Sequence, residues 1–166
     1  MMGSDSDLPV MQEAVKVLEE FGIGSEIHVM SAHRTPEAVV EYVKKSEAGG
    51  YKVFICSAGM SAHLAGIVAA HTALPVIGVP IGKSAAGVDA LFSTVQMPPG
   101  IPVATVAING AKNAGILAAQ IIGTGHSDIL QNVRMFKEKI SKDIKAKDER
   151  LQRLGFKKYL EESGLL

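Results

Sequence analysis

Short runs of apolar, mostly β-branched residues alternate along the chain with longer stretches whose apolar positions recur every three or four residues. Residues 26–30, 53–56, 76–79 and 103–108 read as strands. Ahead of the first of these, Val10, Ala14, Leu18 and Phe21 fall at helical spacing, with Asp7 as the expected N-cap, Pro9 in the first turn and Gly22 as the stop. The next helix is expected to be capped by Thr35 and opened by Pro36, with Val39, Val40 and Val43 on its inner face. Residues 62–72, 88–95 and 112–122 supply further helices, rich in alanine where a helix must lie close on a sheet. This alternation predicts the α/β class, as a three-layer αβα doubly wound parallel sheet. Ligands of such sheets gather at the carboxyl ends of the strands, near the point where strand order reverses.

From His126 onward the pattern changes. Residues 128–153 are heavily charged, yet Ile129, Val133, Phe136, Ile140 and Ile144 keep the spacing of an amphipathic helix. It is expected to project past the sheet and to pack on its own domain or on a neighbouring subunit. The 166 residues suit a single domain over 1–166, with sheet and covering helices in 1–125 and a helical extension in 126–166. Only Met1 and Met2 precede the first loop, whereas a strand takes about five or six residues, so the sequence is expected to begin inside its first strand.

Composition narrows the function classes. Lys+Arg 17 against Asp+Glu 17 leaves a net charge of zero, so nothing favours nucleic acid or an anionic membrane, and any anion site must be local. With 5% aromatic residues and no Trp, the core must be built from Val, Ile, Leu, Ala and Met. The single cysteine, Cys56, excludes an intrachain disulfide and a multi-cysteine zinc site, and reads as a small buried thiol. No charged-then-apolar leader and no bilayer-length apolar run is evident, so the chain reads as cytoplasmic, with no membrane partner.

Candidate chemistry lies in the loops after the strands. Gly3-Ser4-Asp5-Ser6-Asp7 enters the first helix, where free N–H groups and the helix dipole favour an anion; Ser4 and Ser6 add hydroxyl donors, and Asp7 suits ribose hydroxyls. The ordinary alternative is a helix cap. In Ser31-Ala32-His33-Arg34-Thr35-Pro36 a group that titrates near neutral pH stands beside a permanent cation: Arg34 suits a phosphate by forked hydrogen bonds, and His33 suits proton transfer. The third loop, 56–64, contains Ser57, Ala58, Gly59, His63 and Leu64, and its small residues allow a carboxylate to approach backbone N–H groups. His63 is expected in the first turn of its helix, bonded either to its own loop or to a ligand. His28, His71 and His126 have no partners at metal-ligand spacing. Residues 83–89 and 93–98 are further lining candidates.

In this order these segments closely resemble the PurE family of purine biosynthesis, the N5-carboxyaminoimidazole ribonucleotide mutases. The carriers are Met2 to Asp7, Ser31 to Pro36, Ala62-His63-Leu64, Leu74 to Pro80, Val95-Gln96-Met97-Pro98 and Ile101 to Thr105, and they span nearly the whole chain. The resemblance implies a flavodoxin-like fold, a homo-octamer, and a rearrangement free of cofactor and metal. In it the carboxylate on the exocyclic nitrogen of a phosphorylated aminoimidazole ribonucleotide moves to ring carbon C4. It implies His33 as acid/base, with His63 as a second catalytic position that marks the branch. Substrate contacts would come from Ser4, Ser6, Asp7 and Arg34, and the carboxylate or CO2 would sit near Ser31, Ala32, Ser57, Ala58, Gly59 and Leu64. Ala-His-Leu at 62–64 and Ser-Ala-His-Arg at 31–34 fit the mutase branch better than the branch that takes CO2 directly. Ser57, Met60, Ser61 and Ala65 depart from the family pattern of glycine, alanine or proline. The alternatives are that direct carboxylase and a flavodoxin-like module that binds a nucleotide without chemistry.

Overall fold

The computed structural model describes residues 1–82 and 87–165, which group into two compact units, Met1–Leu130 and Gln131–Leu166. In the first, a short 3-10 turn, Asp5–Asp7, runs into α1 (Leu8–Glu20), followed by α2 (Pro36–Ala48), β1 (Phe54–Gly59), α3 (Leu64–Ala69), β2 (Val76–Ile81), α4 (Val88–Val95), β3 (Ala104–Thr105) and α5 (Ala111–Gly123). The helix α6 (Ser127–Ser163) carries the chain into the second unit and is broken at Gly155, where φ is 72°. Its charged face includes an Arg150–Glu162 ion pair at 3.0 Å across that break.

The sheet is parallel, in the order β1-β2-β3. The chain start extends it. Met2 bridges in parallel to Ser57 on one side and to Val29 on the other, through Met2 N–H to the His28 carbonyl (2.9 Å), Met30 N–H to the Met2 carbonyl (2.8 Å) and Ser57 N–H to the Met1 carbonyl (3.0 Å). Across the sheet the order is therefore residues 28–30, 1–3, β1, β2, β3, and the reversal of strand order falls between residues 1–3 and β1.

Each face of this sheet has its own core. Phe54, Cys56, Ala58 and Val76 pack with Val39 and Val43 of α2 and Leu64, Ala65 and Val68 of α3. On the opposite face, Met2, Ile77 and Val79 pack with Met11, Ala14 and Leu18 of α1 and with Ala111, Ala114 and Ala118 of α5. Full burial of a Val or Leu side chain is worth about 1.5–3 kcal/mol, so Val39, Val43 and Leu64 anchor one layer and Leu18 the other. The alanines let helix backbones approach closely. At Gly115 the approach is extreme: a Cβ there would lie 2.8 Å from the Ala14 carbonyl oxygen and 2.4 Å from Val17 Cγ1.

Several expected boundaries differ. The strand expected at 26–30 is a single parallel bridge, Val29 to Met2. β1 runs on to Gly59, so Ser57, Ala58 and Gly59 belong to a strand and not to a loop. The run 103–108 forms only Ala104–Thr105 as strand, although Val106 N–H and Asn109 N–H still donate to the Gly78 and Pro80 carbonyls of β2. The helix expected over 62–72 is six residues, Leu64–Ala69. Asp7 and Thr35 occupy N-cap positions as expected, but neither side chain caps its helix. Both are held by other bonds described below.

Candidate active site

A cleft of about 540 Å³ opens at the carboxyl ends of residues 1–3, residues 28–30 and β1, beside the reversal of strand order. It is lined by Gly3, Ser4, Ser6, Asp7, Ser31, Ala32, His33, Arg34, Ala58, Gly59, Met60, Ala62 and Leu64. Of the residues expected from the sequence, Ser4, Ser6, Asp7, Ser31, Ala32, His33, Arg34, Ala58, Gly59 and Leu64 are brought together here. Ser57 and His63 are not among the lining residues.

The first wall is a serine and aspartate knot. Ser4, extended at φ −150°, starts the 3-10 turn and accepts from Ser6 N–H at 3.3 Å. Ser6 Oγ donates to Ser4 Oγ at 3.0 Å and to Asp7 Oδ1 at 3.4 Å. Asp7 is nearly buried, and Ser57 Oγ, wholly buried in β1, donates to its Oδ2 at 3.4 Å. Burial raises the Asp7 pKa above the ordinary carboxylate value, and hydrogen bonds from Ser6, Ser57 and Ser4 only partly oppose it. Ser57 thus reaches the cleft through Asp7.

The second wall is the turn 31–35. Thr35 N–H donates to the Ser31 carbonyl at 2.8 Å, Thr35 Oγ1 donates to the same carbonyl at 3.1 Å, and Ser31 N–H donates to Thr35 Oγ1 at 3.0 Å. The Thr35 hydroxyl therefore closes its own turn instead of capping α2. Ser31 Oγ accepts from Arg34 N–H (3.2 Å) and from Arg34 Nε (3.3 Å), while Arg34 Nη2 donates to the Gly3 carbonyl. The guanidinium joins the two walls. His33 projects from the crest of this turn, exposed, with no hydrogen bond from its ring among the described residues.

His63 sits at the N-cap of α3, and its Nδ1 lies 2.7 Å from the Ser93 carbonyl of α4. A carbonyl only accepts, so Nδ1 carries the proton. The ring lies over Gly66, where a Cβ would come within 1.9 Å of Nε2. His63 therefore locks α3 to α4 at the back of the cleft corner. The corner itself turns at Met60, which has φ 54° and is 77% exposed. Met60 and Ala62 line the cleft without carrying a chemical signal in the sequence; Gly3 does so through its carbonyl, which no side-chain pattern announces. The expected loop 83–89 lies outside the described residues at 83–86. Within 93–98, Ser93 and Thr94 belong to α4. Among the described residues no group of three or more His, Cys, Asp or Glu side chains could hold a metal ion, and no helix is long and apolar enough to cross a membrane.

The AIR carboxylase family model matches residues 1–143. The chain is 55% identical to the N5-carboxyaminoimidazole ribonucleotide mutase of Thermotoga maritima over 161 residues, covering 96% of this chain and 94% of that protein. It is 53% identical to the protein of the same name from Pyrococcus horikoshii, covering 98% and 92%. It is also 49% identical to the phosphoribosylaminoimidazole carboxylase of Candida glabrata, where the match takes in 97% of this chain but 28% of the longer protein. Among solved structures, Treponema denticola PurE superposes with a TM-score of 0.83 at 36% identity, covering 90% of this chain and 94% of that one. With the family model spanning most of its length, and relatives above half identity matched nearly end to end, the chain belongs to the AIR carboxylase family.

Proposed function

We propose that the chain is an N5-carboxyaminoimidazole ribonucleotide mutase of purine biosynthesis, forming 4-carboxy-5-aminoimidazole ribonucleotide at the cleft between Gly3–Asp7 and Ser31–Arg34. The observation that carries the reading is an imidazole, His33, that makes no hydrogen bond among the described residues and stands on the rim of a cleft whose other groups suit a ribonucleotide phosphate. Arg34 and the hydroxyls of Ser4 and Ser6 take the phosphate, and Asp7 accepts from the ribose hydroxyls. The carboxylate, or the CO2 it becomes, rests against Ser31, Ala32, Ala58 and Gly59, with Leu64 beneath.

The proton balance requires one shuttle. Breaking the N–C bond releases CO2 and leaves the exocyclic nitrogen needing a proton, which His33 supplies. C4 then attacks CO2, and the C4 proton returns to His33. Nothing is consumed, so one side chain that titrates near neutral pH suffices. Water must be kept out while CO2 is free, since an escaped CO2 ends the cycle. His63 serves as a positioning residue: the Nδ1 bond to Ser93 fixes the 59–64 corner against α4.

The reading extends to a homo-octamer in the cytoplasm. Val88, Phe92 and Val95 lie exposed along α4 and supply an apolar face suited to a neighbouring subunit. Sedimentation of the purified protein as a monomer would contradict that part.

The direct carboxylase is the second reading, supported by the carboxylase names of the longer relatives. Two assays separate them. Rapid conversion of N5-carboxyaminoimidazole ribonucleotide, with negligible product from aminoimidazole ribonucleotide plus bicarbonate, supports the mutase. Strong turnover from bicarbonate without the N-carboxylated substrate overturns it.

A further inference from the structure

Ser57 does not line the cleft, yet its hydroxyl reaches a group that does. Its backbone is fixed within the sheet: the N–H donates to the Met1 carbonyl at 3.0 Å, the carbonyl accepts from Gly3 N–H at 3.3 Å, and the residue stands in register with Val79 of β2. The side chain is 0% exposed, so no bulk water competes for its hydroxyl proton. Among the described residues that hydroxyl bonds one group, Asp7 Oδ2, at 3.4 Å. A donor carried on a strand is held more closely than one carried on a loop.

Asp7 stands at the N-cap of α1, where an aspartate ordinarily accepts from the N–H groups of the second or third helical residue. Its side chain does not cap the helix. Pro9 sits in that first turn and has no N–H to offer, so one of the competing donors is missing. The carboxylate is bonded to the sheet instead. Its two oxygens are held unequally. Oδ1 lies 3.4 Å from Ser6 Oγ, but the Ser6 hydroxyl has one proton and a nearer acceptor, Ser4 Oγ at 3.0 Å, and it is exposed to water. The Ser57 hydroxyl has one proton and one acceptor. Ser57, more than Ser6, therefore sets the rotation of the carboxylate. An ionised carboxylate has about four lone-pair positions, so one bond on each oxygen leaves about two, enough for a pair of ribose hydroxyls.

We propose that Ser57 is a positioning residue for the ribonucleotide: from beneath the cleft its hydroxyl fixes the Asp7 carboxylate in the rotation that turns its free lone pairs to the ribose. This rests on the assignment of Asp7 to the ribose under the proposed function, and adds the group that sets the angle of that contact. Ser57 itself touches neither the substrate nor the reacting atoms. The same bond favours the charged form of Asp7 against the burial that opposes it. Without the hydroxyl the carboxylate is free to turn, so binding weakens while proton transfer at His33 is left alone.

The test compares four full-length proteins: the parent, Ser57→Ala, Asp7→Ala and the double variant. Melting temperature, affinity for 4-carboxy-5-aminoimidazole ribonucleotide and steady-state turnover of N5-carboxyaminoimidazole ribonucleotide are measured on each. Alanine differs from serine only by the hydroxyl oxygen, so the strand is kept, and the melting temperature verifies it. Ser57→Ala should weaken product binding about three- to tenfold, and raise KM by a like factor with kcat within about twofold of the parent. With Asp7→Ala already in place, which by itself weakens binding about tenfold or more, the same substitution should change affinity by less than about twofold. An equal loss in both backgrounds means that Ser57 acts through the strand and not through Asp7, and overturns the proposal. So does a fall in kcat at unchanged KM, or parent-like affinity in Ser57→Ala when Asp7→Ala binds weakly. Parent-like affinity in Asp7→Ala instead overturns the ribose assignment, and the role of Ser57 with it.

Discussion

Arg34 donates from its guanidinium to the Gly3 carbonyl, 31 positions earlier in the chain, while its Nε bonds Ser31 within its own turn. One side chain thus spends part of its donor set holding two loops at a fixed separation, and under the proposed function its remaining donors would meet the phosphate. Only a planar, multi-donor cation can do both, which is why lysine is a poor substitute.

Arg34→Lys should therefore behave much like Arg34→Ala. For each variant the affinity for a phosphorylated ribonucleotide is expected to fall about 10- to 100-fold, the worth of one or two charge-assisted hydrogen bonds. Titration calorimetry with product measures it. Near-native affinity for the lysine variant would show that charge alone suffices.

Asp7 should display a conflict between stability and function. Its folded-state pKa is raised, so ionised Asp7 lowers stability: the folded state loses stability as pH rises through that pKa and is free of the penalty below the unfolded carboxylate value. Asp7→Asn removes the penalty while keeping an acceptor for Ser57. Its melting temperature should match the parent near pH 3 and exceed it at pH 7, while ribonucleotide affinity falls by about tenfold or more. Thermal scans across pH check the sign, and a variant less stable at pH 7 would contradict it.

Gly66 and His63 should be coupled with a reversal of sign. A methyl on Gly66 meets the His63 ring at 1.9 Å, so Gly66→Ala must displace the ring and lose its bond to Ser93, at a cost of about 1–2 kcal/mol. In a His63→Ala background the ring is gone and alanine replaces glycine in a helix, which should stabilise by about 0.5–1 kcal/mol. Denaturant melts of the four proteins of this cycle decide it; additive effects would contradict the coupling.

Met60 holds a left-handed backbone conformation that costs an L-residue about 1–2 kcal/mol. Met60→Gly gives back part of this in unfolded-state entropy, leaving a net gain of up to about 1 kcal/mol, or roughly 2–4 °C in melting temperature. A loss of stability would mean that the Met60 side chain, though 77% exposed, makes contacts worth more than its strain.

Much of this organisation is legible in the residues. Helix α4 falls at Val88–Val95 as its spacing predicts, and Pro36 and Gly22 mark real helix ends. The alternating runs give the layered parallel sheet, and His33 and Arg34 fall where a carboxyl-end turn puts them at the cleft. What local pattern misreads depends on partners distant in sequence. Residues 26–30 have strand-forming side chains yet pair only at Val29, with Met2, and Ser57 looks like a loop hydroxyl until β1 is seen to carry it under Asp7. The His63 ring is drawn away from the cleft by a carbonyl 30 positions later. Nothing in Ala-His-Leu specifies that bond, because its acceptor is backbone.

In the proposed reaction the ring of His33, which makes no hydrogen bond among the described residues, moves the proton between the exocyclic nitrogen and C4. The direct measurement is turnover of N5-carboxyaminoimidazole ribonucleotide by His33→Asn, with melting temperature and product affinity recorded on the same preparation. Turnover should fall about 10²- to 10⁴-fold with both other quantities unchanged. A His33→Asn protein that turns over substrate at the parent rate would contradict it.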